Sequence, residues 1–142
     1  MPQRSNESFI RWQGRTIEQL GFVNNLFIGL ATALLVFEAK LPFEEKLTLS
    51  SAEKWLAFLS VLSVFLSIAF GCYVAWNRLR SFRNTTQIAR QRETGNRTNI
   101  EELRALVKTL DSRSWPLLTI QTVLFGSGAL LFAVFSILRY FI

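Results

Sequence analysis

The sequence contains no histidine, which removes imidazole acid–base chemistry and His-ligated metal centres from consideration. Cysteine occurs once, as Cys72, so no intrachain disulfide can form and cysteine usage says nothing about compartment. Cys72 falls inside an apolar run, where a thiol packs as a small hydrophobe. Aspartate also occurs once, as Asp111, and the carboxylates sit in short clusters mixed with Lys or Arg. That arrangement offers no positive sign of a carboxylate dyad, a nucleophile–base pair or a metal set, so the sequence predicts a non-enzymatic chain without cofactor.

Apolar residues are what the chain has in excess. Half of its 142 residues are hydrophobic, 13 are Phe and the mean hydropathy is +0.27, too apolar for a soluble domain of this size. Three uncharged runs carry the excess: 18 residues over 20–37, 22 over 55–76 and 22 over 117–138. At 1.5 Å of rise per residue the longer runs measure about 33 Å, close to the roughly 30 Å hydrocarbon thickness of a bilayer. The sequence therefore predicts an all-α integral membrane protein, with three transmembrane helices and a cytoplasmic antiparallel helical hairpin.

Charge sets the expected order of segments. Residues 1–19, with Phe9 and Trp12 on one helical face, form a cytoplasmic or interfacial segment of net charge +1. The first span (20–37) leads to an external loop (38–54) of net −1, where Pro42 interrupts any helix and Ser50 or Ser51 with Glu53 can cap the second span. After the second span (55–76), residues 77–116 hold nine Lys or Arg against four Asp or Glu, net +5. The third span (117–138) precedes a short external tail (139–142). By the positive-inside rule the N-terminus and the basic segment are cytoplasmic, and excess Arg is read as a topology signal before nucleic-acid binding is considered.

Within the basic segment, Ala75, Leu79, Phe82, Thr86 and Ala89 follow a heptad-like 4 and 3 spacing. Gly95-Asn96 reads as the hairpin turn, and Asn99 with Glu102 as a capping box opening a second helix. Ile100, Leu103, Val107 and Leu110 give that helix an apolar seam. Pro116 is expected to start the next membrane helix, with Trp115 at the interface.

Each span also carries small or polar residues on one side. Gly21, Asn25, Gly29 and Ala33 recur every four residues in the first; Ser60, Ser63, Ser67 and Gly71 lie on one face of the second; Gly126, Ala129 and Ala133 lie on one face of the third. Such faces let helices approach closely, within a chain or between copies, so a homo-oligomer is expected. Arg80, Arg83 and Arg90 form a polar stripe on the basic helix. Juxtamembrane arginines attract anionic lipid at about 1 kcal/mol each, and guanidinium groups also bind phosphate or carboxylate. The expected partners are therefore the bilayer, its anionic lipids, and a cytoplasmic protein or nucleotide.

The run Asn77-Arg78-Leu79-Arg80-Ser81-Phe82-Arg83-Asn84-Thr85, followed by Ile88-Ala89-Arg90 and Arg92-Glu93, resembles a group of small bacterial inner-membrane proteins that share a Trp-containing N-terminal segment like Arg11-Trp12-Gln13 and an Asn-containing first span. More loosely, the passage from span to basic helix is similar to the SLATT class of membrane effectors, whose usual plan has two spans. These resemblances imply a bacterial inner-membrane location, a multi-pass chain, and a pore-like effector role in antiviral defence. The expectation drawn from them is a homo-oligomeric effector or channel-like protein with a signal-binding hairpin. The alternative is a scaffold or accessory subunit that recruits an acidic partner.

Overall fold

The computed structural model describes the backbone of residues 3–44, 50–93 and 99–141, and the side chains of 18–40, 50–91 and 99–139. Three helices make up the fold, α1 (Gln3–Glu44), α2 (Ser51–Glu93) and α3 (Ile100–Phe141), with no strand among the described residues. At 42, 43 and 42 residues each is about 63 Å long. Each is long and apolar enough to cross a membrane.

α2 opens on a reciprocal capping box. Glu53 N–H donates to Ser50 Oγ at 3.3 Å, and Ser50 N–H donates to the Glu53 carboxylate at 2.7 Å. α3 begins where the capping pattern placed it, but Asn99 holds a left-handed backbone with φ 73° while its carbonyl accepts the Leu103 N–H at 3.1 Å. The Gly95-Asn96 turn and the side chains of residues 1–17 lie outside the described residues, although the backbone there is already helical from Gln3.

Two prolines do less than their chemistry suggests. Pro42 sits within the final turn of α1, and Pro116 lies inside α3, which runs through it. Pro116 removes the N–H that the Ser112 carbonyl would accept. Pairing with α2 on both sides of this point keeps the chain helical: Ser67 bonds Gln121 beyond it and Ser81 bonds Asp111 before it. The second arm of the expected hairpin and the third span are therefore one helix.

That pairing is a coiled coil with a seven-residue period. On α2 the buried residues include Ser60, Ser67, Val74, Ser81 and Ile88. On α3 they include Ile100, Ser114, Gln121, Gly128 and Phe135, with leucine at 103, 110, 117, 124, 131 and 138 on the adjoining seam position. A strict heptad repeat keeps one seam facing its partner along the whole length and implies a left-handed supercoil. Cross-helix hydrogen bonds set an antiparallel register: Ser60 Oγ donates to the Gly128 carbonyl, Ser63 Oγ to the Leu124 carbonyl and Ser67 Oγ to the Gln121 carbonyl, each at 2.9 Å.

α1 packs against this pair, chiefly on α2. Among its described side chains the buried ones are Leu20, Asn24, Ala31 and Glu38. Edge-to-face rings join it to α3, Phe27 with Phe125 at 5.6 Å and Phe37 with Phe132 at 5.7 Å between centroids. The register puts Trp76 and Trp115 at one height. Trp55 marks the other end of the second run, about 32 Å away by helical rise. All three Trp side chains are exposed, and between them large side chains such as Phe22, Phe65, Val123 and Leu130 point outward. The result is an apolar belt, beyond which α2 and α3 extend as a charged pair of arms.

Candidate functional site

A row of polar side chains is collected along the centre of the bundle. Asn24, Glu38, Ser60, Ser67, Asn77, Ser81, Ser114 and Gln121 are all buried. Near the Trp55 end, Ser60 Oγ contacts both a Glu38 carboxyl oxygen and the Gly128 carbonyl, joining the three helices at one point. Deeper in, Asn24 Nδ2 donates to the Gly71 carbonyl at 3.2 Å. Gln121 is wholly buried there, and neither atom of its side-chain amide has a partner. Glycine is required at this contact: a Cβ on Gly71 would lie 2.5 Å from Gln121 Nε2 and 2.7 Å from Ile28 Cγ1.

A charged clasp closes the seam where the belt ends. Ser81 Oγ donates to Asp111 Oδ1 at 2.8 Å. The chain's one Asp also acts electrostatically on the Arg78 guanidinium. Arg78 lies across Gly21 of α1, with Nη1 3.1 Å from where a Cβ would stand. The basic motif thus divides by direction. Asn77 and Ser81 are buried and Arg78 half-buried, whereas Leu79, Arg80, Phe82 and Arg83 are exposed.

Arg80, Arg83 and Arg90 are each exposed on α2 and share one side of it by their spacing. They do not line the open groove of about 700 Å³ on the arms, whose rim holds Arg104, Lys108 and Asp111 around Ile88, Val107 and Trp115. The expected apolar seam of the arm is displaced as well. Ala75, Leu79, Phe82, Thr86 and Ala89 all face outward, Phe82 at 74% exposure, and Val74, Ser81 and Ile88 take the contact instead. Leu103, Val107 and Leu110 do face α2.

The small-residue faces meet three different fates. Ser60, Ser67 and Gly71 are buried and Ser63 is half-buried, bonding Leu124 and Ser127. On α1, Gly21 meets Arg78, but Asn25, Gly29 and Ala33 point outward, and nothing lies within 4 Å of a Cβ built on Gly29. On α3, Gly126 likewise faces open space, Ala133 is exposed and Ala129 half-buried, while Gly128 makes the close contact. Cys72 is also exposed on the belt rather than enclosed in the bundle. Glu38, counted with the loop from its charge, lies on the packed face of α1. Seven- and fourteen-residue spacings from Ala31 and Asn24 are the sequence signal that would have placed it there.

Among the described residues no group of His, Cys, Asp or Glu is arranged to hold a metal ion. No family model, curated protein or solved structure matches the chain.

Proposed function

We propose that this chain is a non-enzymatic, three-span protein of a bacterial inner membrane, acting as a homo-oligomeric effector whose cytoplasmic arms receive a signal and pass it to the spans. The observation that carries this reading is the continuity of α2 and α3. Both run unbroken from the belt into the charged arms, on one heptad seam. A partner that turns or separates the arms would therefore strain the helices inside the membrane, because packed helices move as stiff elements. Self-assembly draws support from the outward small residues Gly29, Gly126 and Ala133, which allow close approach of helices from another copy. A conducting path would lie between copies, since Ser60, Ser67 and Gln121 fill the centre of one protomer.

Native mass spectrometry in lipid nanodiscs tests the assembly, with ion flux from loaded vesicles measured in parallel. A closed ring of fixed copy number with vesicle leakage supports the effector; a monomer that leaks nothing contradicts it.

A second reading, an accessory subunit that recruits an acidic partner, is favoured by one specific feature. Leu79 and Phe82, at 62% and 74% exposure, stand beside exposed Arg80 and Arg83. An apolar strip flanked by guanidinium groups suits an amphipathic helix with acidic edges. Stoichiometric capture of such a helix by a monomeric protein would favour this second reading.

A further inference from the structure

Glu38 is the one acidic side chain buried among the described residues, at 6% exposure. It lies at the height of Ser60, five residues inside Trp55, or about 7.5 Å into the belt by helical rise. Among the described residues its surroundings hold no compensating charge. Between Lys54 and Arg78 the only titratable side chains on α2 are Cys72 and Tyr73, both exposed, and α3 has none between Arg113 and Arg139. On α1 itself, Lys40 is exposed. Glu38 Oε2 has no hydrogen-bond partner.

The hydrogen count at Ser60 is informative. Its Oγ sits within hydrogen-bond range of two oxygens, Glu38 Oε1 and the Gly128 carbonyl. A serine hydroxyl has a single hydrogen, a backbone carbonyl has none, and an ionised carboxylate only accepts. With an ionised Glu38, two acceptors would compete for one hydrogen and a buried charge would face apolar side chains with one oxygen unbonded, the costliest arrangement of a polar group. With a neutral Glu38 both contacts at Ser60 are filled, the carboxyl O–H donating to Ser60 Oγ and the Ser60 O–H donating to the Gly128 carbonyl, and the oxygen left without a partner, Oε2, carries no charge.

We infer that Glu38 is a proton-binding site inside the span, held as the neutral acid by Ser60 and the Gly128 carbonyl and reached from the Trp55 end of the bundle. Uptake forms one O–H bond at the carboxyl and leaves the group uncharged; release returns the proton to water and leaves a carboxylate among three helices. The site needs no oligomer and no partner, so its failure would leave the proposed function standing.

Infrared spectroscopy of the full chain in lipid reads the proton directly. Carboxyls in water are ionised at about pH 8, so a carbonyl band of a carboxylic acid surviving there reports a shielded site. The expected result is such a band that shifts in deuterium oxide, moves when glutamate is carbon-13 labelled, disappears in Glu38→Gln and changes frequency in Ser60→Ala. The isotope shifts are read on the wild-type protein and keep the test decisive if a variant does not fold. Absence of any acid band in the wild type overturns the inference. Loss of the band when sodium replaces a bulky organic cation at constant pH also overturns it, by assigning the site to a metal cation.

Discussion

Replacing Gly128 with alanine probes the closest approach of α2 and α3. The new methyl would lie 2.6 Å from Val64 Cγ2 and 3.3 Å from both the Ser60 carbonyl oxygen and the Val64 nitrogen, against about 3.5–4.0 Å for a relaxed carbon contact. Val64 has no room to yield, being wholly buried and β-branched, with essentially one rotamer available in a helix. α3 must therefore retreat by about an ångström, which lengthens the 2.9 Å bond from Ser60 Oγ to the Gly128 carbonyl. Overpacking of this kind costs about 1–3 kcal/mol, and alanine's helix propensity returns up to about 1 kcal/mol. The expected net loss is about 0–2 kcal/mol, and relative to Gly126→Ala about 1–3 kcal/mol. Gly126→Ala is the internal control, because nothing lies within 4 Å of its Cβ; within a protomer it is expected to be neutral or to gain up to about 1 kcal/mol. Unfolding of the monomeric fraction in mixed micelles, followed by tryptophan fluorescence over a denaturing-detergent titration, measures both variants. Equal losses, or a larger loss at Gly126, would refute the packing described here.

Asp111→Ala removes the acceptor of the Ser81 hydroxyl and the countercharge of half-buried Arg78, and is expected to destabilise by about 1 kcal/mol in the same titration; Asp111→Asn keeps an acceptor and is expected to lose less. Gly71→Leu is expected to disrupt the protomer itself, whereas Gly29→Leu, at an outward position, is expected to leave protomer stability unchanged and to shift the oligomer distribution seen by size exclusion and native mass spectrometry. Reversing Arg80, Arg83 and Arg90 to Glu is expected to abolish binding of an acidic partner or the cellular effect while leaving insertion intact. Retained binding or effect in a correctly inserted triple variant would reduce the stripe to a topology anchor.

The lengths of the apolar runs and the serine face of α2 were legible in the sequence because length and small-residue clustering act locally. Which side of each helix packs was harder to read, since core and outward surface are both apolar in such a chain. On α1 the small residues recur every four positions, a step that advances about 40° around the helix each time. From Gly21 to Ala33 the stripe drifts by roughly a third of a turn and cannot follow one partner. Leu20, Asn24, Ala31 and Glu38, spaced 4, 7 and 7, do keep one side. On α3 the six leucines from Leu103 to Leu138 announce the coiled coil once Pro116 is not taken as a boundary. Reading the helix in two pieces hid the repeat, and with it the contact at Gly128. Glu38 was obscured differently: charge assigned it to the loop, whereas helix register buries it.

The signalling proposal requires the charged arms to face the cytoplasm, and one measurement tests that directly. Single cysteines are introduced into Cys72→Ser protein at positions near Lys46 and near Gly95, and intact cells are treated with a membrane-impermeant maleimide. With Glu38 inside the belt, residues 39–54 hold three Lys against three Glu, net 0, and residues 77–116 carry +5; this asymmetry leads to labelling near Lys46 and none near Gly95 until the cells are opened. Labelling near Gly95 in intact cells, with protection near Lys46, would invert the protein and place the charged arms beyond the reach of any cytoplasmic partner.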